Sequence, residues 1–191
     1  MAISSLPANK LKITSSPLTL TAGTRGTITI AVQDEFGNPQ PAGAYVIDLA
    51  SNSAGTFHFY ATGTQNVVTD ITIADGVSSV TVDYYDEKAG TPTIMVSAIG
   101  LASDTQQQTI NPSSIDHYAV STISTKLIEV PFNVTIYAQD AYDNNITTGA
   151  EASEGISVTF GKTDDEATPK STVTANGTAT VEMTMTIAQC G

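Results

Sequence analysis

Basic residues are scarce in this sequence: seven Lys and Arg stand against 19 Asp and Glu, for a formal net charge of −12. Nucleic-acid binding needs clustered cations to neutralise phosphates, so that class is excluded. The same deficit argues against anionic membrane surfaces. The one cysteine, Cys190, makes neither an intrachain disulfide nor a thiolate metal cage. No run of about 18 apolar residues occurs, so no membrane-spanning segment is predicted. The first residues lack a basic segment followed by an apolar run, and no signal peptide is expected within the sequence. An exported parent would carry its signal upstream of Met1. Charged residues make up 14%, and the strong helix formers Leu, Glu, Lys and Arg are sparse. Thr, Val, Ile and Tyr take their place, and their branched or aromatic side chains suit a pleated surface.

Short alternating runs, separated by turn residues, fill the chain. Arg25–Asp34 (RGTITIAVQD) sends Ile28, Ile30 and Val32 to one side and polar residues mostly to the other, as a half-buried strand does. Phe36-Gly37-Asn38-Pro39 then breaks it. Further strands are predicted at Ala44–Ala50, Thr56–Tyr60, Val67–Ile73, Val77–Tyr85 and, as the last of this set, Thr93–Ala98. Asp75-Gly76 reads as a hairpin turn. About seven strands in about 90 residues is the count of an immunoglobulin-like sandwich. The polar stretch Ser103–Gln108 and the following Ile110–Ser114 read as an interdomain linker.

The pattern then restarts at Asp116–Ser121, Pro131–Asp140, Gly155–Phe160 and Ala179–Ile187, with a second hairpin signal at Asn176-Gly177. The halves repeat one another. Ile28–Pro39 (ITIAVQDEFGNP) superposes on Val134–Asn145 (VTIYAQDAYDNN), and Ala74–Tyr85 on Ala175–Thr186. The predicted fold is therefore all-β, two tandem immunoglobulin-like β-sandwiches. The first covers 8–110 and the second 115–191, split between Ile99 and Asp116. By this superposition Gly191 falls on Gly90, so the second copy is expected to lack its closing strand. Two origins are open: a fragment cut before the strand, or strand exchange with a like chain, for which Ile3–Leu11 is a candidate donor.

The runs Pro17–Pro39, Ile73–Ala98 and Pro131–Asn145 resemble bacterial and archaeal Ig-like repeats of the invasin/intimin kind. The second copy departs from the pattern, with ISTKLIEV (Ile123–Val130) where the first has a Pro-x-Thr-x-Thr-Ala-Gly stretch. The resemblance implies large repeat-built surface proteins: adhesins, surface-layer components and spacers of exported enzymes. The expected function is a non-catalytic structural or adhesion module, a spacer or stalk, of a prokaryotic cell-surface or surface-layer protein. Its expected location is extracellular, and its expected partners are neighbouring domains of the parent. The alternative is a carbohydrate- or calcium-dependent binding module attached to an exported enzyme.

Few residues suggest chemistry. Asp34 and Asp140 hold equivalent places before a turn. With Glu35 and Asp143 they are the candidate calcium ligands, against the plainer reading of carboxylates capping an Asx-turn. No other cofactor is expected. The runs Asp83, Asp86, Glu87 and Asp164, Asp165, Glu166 lack the spacing of an EF-hand loop and read as solvated loops. His58 and His117 read as strand histidines. Asp116 and His117, being adjacent, are expected on opposite faces of a strand and make no catalytic pair, so no catalytic residue is assigned. Asn133, Asn145 and Asn176 begin glycosylation sequons. Phe57, Phe59, Tyr60, Tyr84 and Tyr85 suggest a sugar-stacking platform, with Phe57 and Phe59 more naturally in the core.

Overall fold

The computed structural model describes residues 6–41, 43–127, 129–153, 155–158, 170–173 and 176–183, the side chains of 150 and 170–173 excepted. Cys190, the cluster at 164–166, the ends of the predicted strands at 159–160 and 184–187, and the expected missing strand at the C-terminus lie outside these residues. The chain divides into two compact units, Met1–Asn111 and Pro112–Gly191. Among the described residues the only helical element is one 3-10 turn, Ala150–Ala152. No helix there is long and apolar enough to cross a membrane.

The described residues of unit 1 form eleven strands: β1 (Lys10–Ile13), β2 (Thr19–Thr21), β3 (Arg25–Gln33), β4 (Tyr45–Ser51), β5 (Phe57–Ala61), β6 (Val67–Val68), β7 (Asp70–Ile73), β8 (Ser79–Asp86), β9 (Thr93–Ala98), β10 (Leu101–Gln107) and β11 (Thr109–Asn111). Nine of them form one hydrogen-bonded series in the order β6-β5-β8-β3-β1-β10-β9-β4-β7. Its middle link is thin: β1 and β10 run parallel and share the single pair Lys10↔Ala102. Strands on both sides of that link alternate buried and open residues, so each half has one dry face. The halves face each other, because Ser51 of β4 lies 2.9 Å from the hydroxyl of Tyr84 of β8, a strand that is not its neighbour in the series. Ile28, Ile30, Val32, Ile47, Ile94 and Val96 fill the space between with no more than a trace of exposure.

Several expectations change here. Thr93–Ala98 is not the last strand of its set, and unit 1 has more strands than the expected seven. Ser103–Gln108, expected as linker, lies mostly in β10, and Ile110 sits buried in β11. Polar composition misled because β10 is held by its neighbours: β9 on one side, β1 on the other. Gln108, fully buried, then fastens the step to β11. Its Oε1 accepts from Leu18 N at 2.6 Å and its Nε2 donates to Gln106 Oε1 at 2.9 Å. Val67–Ile73 is two strands: β6 pairs with β5, whereas β7 pairs with β4 in the other half. Residues 3–5 of the donor candidate Ile3–Leu11 lie outside the described residues, and its other end is not free: Lys10 and Leu11 of β1 pair with Gln33 and Val32 of β3, and Leu11 is 1% exposed.

Unit 2 contains β12 (His117–Val120), β13 (Phe132–Gln139), β14 (Gly155–Val158), β15 (Lys170–Val173) and β16 (Thr178–Met183). One sheet has the order β12-β13-β16, and β14 pairs with β15 apart from it. Phe132, Val134, Ile136, Val181 and Met183 make the core, with Ile156 and Val158 of β14 packed against them. The register matches unit 1: β12 lies on β13 as β1 lies on β3. One difference stands out. Leu11 and Ile13 of β1 are buried, but Tyr118 and Val120 of β12 are 39% and 58% exposed.

Neither Asp75-Gly76 nor Asn176-Gly177 closes a hairpin, although both are turns with left-handed residues: Gly76 at φ 77°, Asn176 and Gly177 at 51° and 68°. The strand before each turn pairs elsewhere, β7 with β4 and β15 with β14, while β8 and β16 join the β3 and β13 sheets. The same local chemistry carries the chain from one sheet to another.

Candidate functional site: the repeated aspartate turns

The internal repeat converges on one loop in each unit. β3 ends at Gln33, and Asp34 follows with its side chain turned back over the next four residues. Its Oδ1 accepts the N–H groups of Phe36 and Asn38 at 3.0 and 2.8 Å. Its Oδ2 accepts the side-chain amides of Asn38 at 2.9 Å and Gln40 at 3.4 Å. The main chain closes beneath it, Asp34 N donating to Asn38 O and Gly37 N to Asp34 O. Asp140 repeats the arrangement after β13. Oδ1 accepts from Tyr142 N and Asn144 N, both at 2.9 Å, and Oδ2 accepts Asn144 Nδ2 at 3.0 Å. The left-handed place taken by Gly37 in the first turn is taken by Asp143 at φ 59° in the second. A short polar side chain is among the few that tolerate it.

The fourth donor differs. Asp140 Oδ2 accepts Ser113 N at 2.8 Å, so this carboxylate also anchors the segment entering unit 2. Both aspartates are buried, at 2% and 0% exposure. The Asn38 amide, helped by the backbone N–H groups of the turn, holds the Asp34 carboxyl below its usual range. At Asp140 burial pulls upward, but the bonds from Ser113, Asn144 and Tyr142 outweigh it and the net direction is down. Each carboxylate therefore stays ionised while spending its oxygens on protein donors.

The other two calcium candidates lie apart from this function. Glu35 is exposed, and its carbonyl accepts Lys10 Nζ at 3.2 Å. The Asp143 carboxylate meets His117 Nε2 at 3.3 Å, and His117 Nδ1 meets Asp116 at 3.2 Å. Asp116 and His117 thus do touch, contrary to expectation, because Asp116 precedes β12 and escapes the alternation of the strand. Both ring nitrogens face carboxylates, which leaves neither to take a proton from a nucleophile. Among the described residues no group of three or more His, Cys, Asp or Glu is placed to hold a metal ion.

Asp83 and Asp86, read from sequence as solvated, are buried in unit 1. Asp86 accepts from Ser53 Oγ at 2.8 Å, Lys88 N at 2.9 Å and the Tyr84 hydroxyl at 2.5 Å. Burial, and the Asp86 carboxylate beside it, push the Tyr84 hydroxyl well above the usual tyrosine range. The spacing that carried this signal is the alternation of β8, which turns residues 82, 84 and 86 inward together. A polar cleft of about 230 Å³ lies nearby, between Asn52–Ala54 and Lys88–Pro92. The sequon residues Asn133, Asn145 and Asn176 are all exposed. Of the aromatic residues, Phe59 and Tyr84 point into the core, while Tyr60 and Tyr85 lie on the outer face with His58.

No family model and no curated sequence matches the chain. Among solved structures it is similar to domains 4 and 5 of the S-layer protein SbsC, at 14% identity and TM-score 0.39 over 58% of this chain and 54% of that one. It is similar to SbsC domains 5–6 at 14% identity and TM-score 0.39, over 96% and 100% of the two chains. A β-glycosidase from Bacteroides vulgatus is similar at 15% identity and TM-score 0.45, over 56% of this chain and 14% of the enzyme. Likeness at these levels assigns neither a family nor an activity.

Proposed function

We propose that this chain is a non-catalytic structural or adhesion module, two tandem immunoglobulin-like β-sandwich repeats acting as spacer or stalk in a prokaryotic cell-surface or surface-layer protein. The observation that carries the reading is the aspartate turn, built twice with three of its four donors at the same atoms. A site for a particular ligand need occur once. A device that fastens the end of a strand recurs in every copy of the fold. The acidic, Ser- and Thr-rich composition suits a protein that stays soluble outside the cell. Its partners in this reading are the neighbouring domains of the parent protein. Calcium is not needed for folding, because Asp34 and Asp140 already satisfy their charge with internal donors.

Two measurements test this. Stretching single molecules between their termini should give two separate unfolding events, one for each repeat, and a single cooperative event would count against independent repeats. Melting in millimolar calcium and in chelator should agree within about 5 °C, and a larger rise would reveal binding linked to folding.

A further inference from the structure

The outer face of the β5-β8-β3 sheet in unit 1 carries an aromatic cluster that the core does not use. His58 pairs with Tyr85, and Tyr85 with Arg25, across three adjacent strands. His58 and Tyr85 lie nearly parallel, 17° apart with centroids 6.2 Å distant. Tyr60 stands across both of them, 73° from His58 at 5.9 Å and 89° from Tyr85 at 6.3 Å, so the three rings form a corner. All three are partly exposed. The Arg25 guanidinium lies 3.4 Å over the Tyr60 ring and donates to Thr64 O and Gln65 Oε1. The Tyr85 hydroxyl donates to Glu87 at 2.8 Å. Tyr85 is therefore held at its hydroxyl by Glu87, and Tyr60 is braced on one ring face by the Arg25 guanidinium.

We propose that this corner binds a neutral, pyranose-based polysaccharide. The C–H face of a sugar ring is apolar and flat and stacks on an aromatic ring, while its hydroxyls need planar groups that donate and accept in pairs. Beside the rings lie the Gln65 amide, which both donates and accepts, and the Glu87 carboxylate, which accepts and already takes the Tyr85 hydroxyl. Thr62, Thr64 and Thr81 are exposed on the same part of the unit, which makes the rim hydroxyl-rich rather than aliphatic. A protein interface would centre on a larger apolar patch. Charge selects against acidic polymers: Arg25 is engaged, Glu87 and Asp83 lie close by, and the chain as a whole carries −12. This binding activity adds to the structural role and does not depend on it.

The test uses the full chain on an array of neutral glucans, mannans and galactans beside polygalacturonate and hyaluronate. Saturable binding to at least one neutral polymer is expected, with Tyr60→Ala and Tyr85→Ala each weakening it tenfold or more. Gln65→Ala, at an exposed residue, should weaken it severalfold while leaving the melting temperature unchanged, which separates loss of the site from loss of the fold. Met95→Ala, on an exposed residue of β9, should change nothing. Failure to bind any neutral polymer, binding to the acidic polymers alone, or binding that survives both tyrosine substitutions would overturn the proposal.

Discussion

Replacing Gly177 by alanine should unfold unit 2 more readily than the same change at Gly76 harms unit 1, although both glycines follow equivalent residues in equivalent turns. Both adopt left-handed backbone, at φ 68° and 77°, which costs an alanine about 1–2 kcal/mol. Around Gly76 nothing lies within 4 Å of an added Cβ, so that cost is the whole effect. At Gly177 the Cβ would fall 1.5 Å from the Ile146 carbonyl oxygen and 2.7 Å from its carbon, both main-chain atoms. Neither partner can yield freely. Gly177 N donates to Ala152 O, Gly177 O accepts from Ala138 N, and Ile146 N donates to Ala138 O. Relieving the clash means giving up these three bonds, each worth about 0.5–1.5 kcal/mol net. The sum is on the order of 3–6 kcal/mol, against a total stability of about 5–15 kcal/mol for a small domain. Calorimetry, with hydrogen exchange to assign each transition to its unit, should show Gly76→Ala lowering unit 1 by roughly 4–16 °C and Gly177→Ala lowering unit 2 by about three times as much. If Gly177→Ala costs no more than Gly76→Ala, the close approach to Ile146 does not constrain the fold and the reasoning fails.

Acid should weaken both units for a related reason. The folded pKa values of Asp34 and Asp140 lie below the unfolded value near 4, so their contribution is full above that pH and lost as the pH falls through the folded values. Urea midpoints followed from pH 6 to pH 2 should fall steadily below pH 4, and Asp140→Asn should flatten the curve for unit 2 while costing about 1–3 kcal/mol at pH 7. Tyr84→Phe should cost unit 1 about 1–3 kcal/mol, because Asp86 Oδ2 loses its hydroxyl donor inside the core. In a spectrophotometric titration of the wild type, one of the seven tyrosines should lag behind the others, and that laggard should be missing from the variant.

The sequence alone determined where most strands run and that the chain repeats itself. Alternation with period two is a local property, and it located β3, β8, β9, β13 and β16 because each buries one face. The Asp-x-x-x-Asn spacing was visible as a repeat for the same reason: the carboxylate and its donors all sit within a few residues. The tertiary structure alone decided which strands pair and which faces stay dry. Asp75-Gly76 and Asn176-Gly177 have hairpin chemistry, yet β8 pairs with β3 and β5 and β16 pairs with β13, none of them the strand just before the turn, and longer-range pairing overrode the local turn. Ser103–Gln108 has the composition of a linker but becomes a strand because β1 and β9 present edges to it. The division of the aromatics into core Phe59 and Tyr84 and outer His58, Tyr60 and Tyr85 follows from one fact that no local pattern contains, namely which side of the β5-β8 pair meets the opposite sheet.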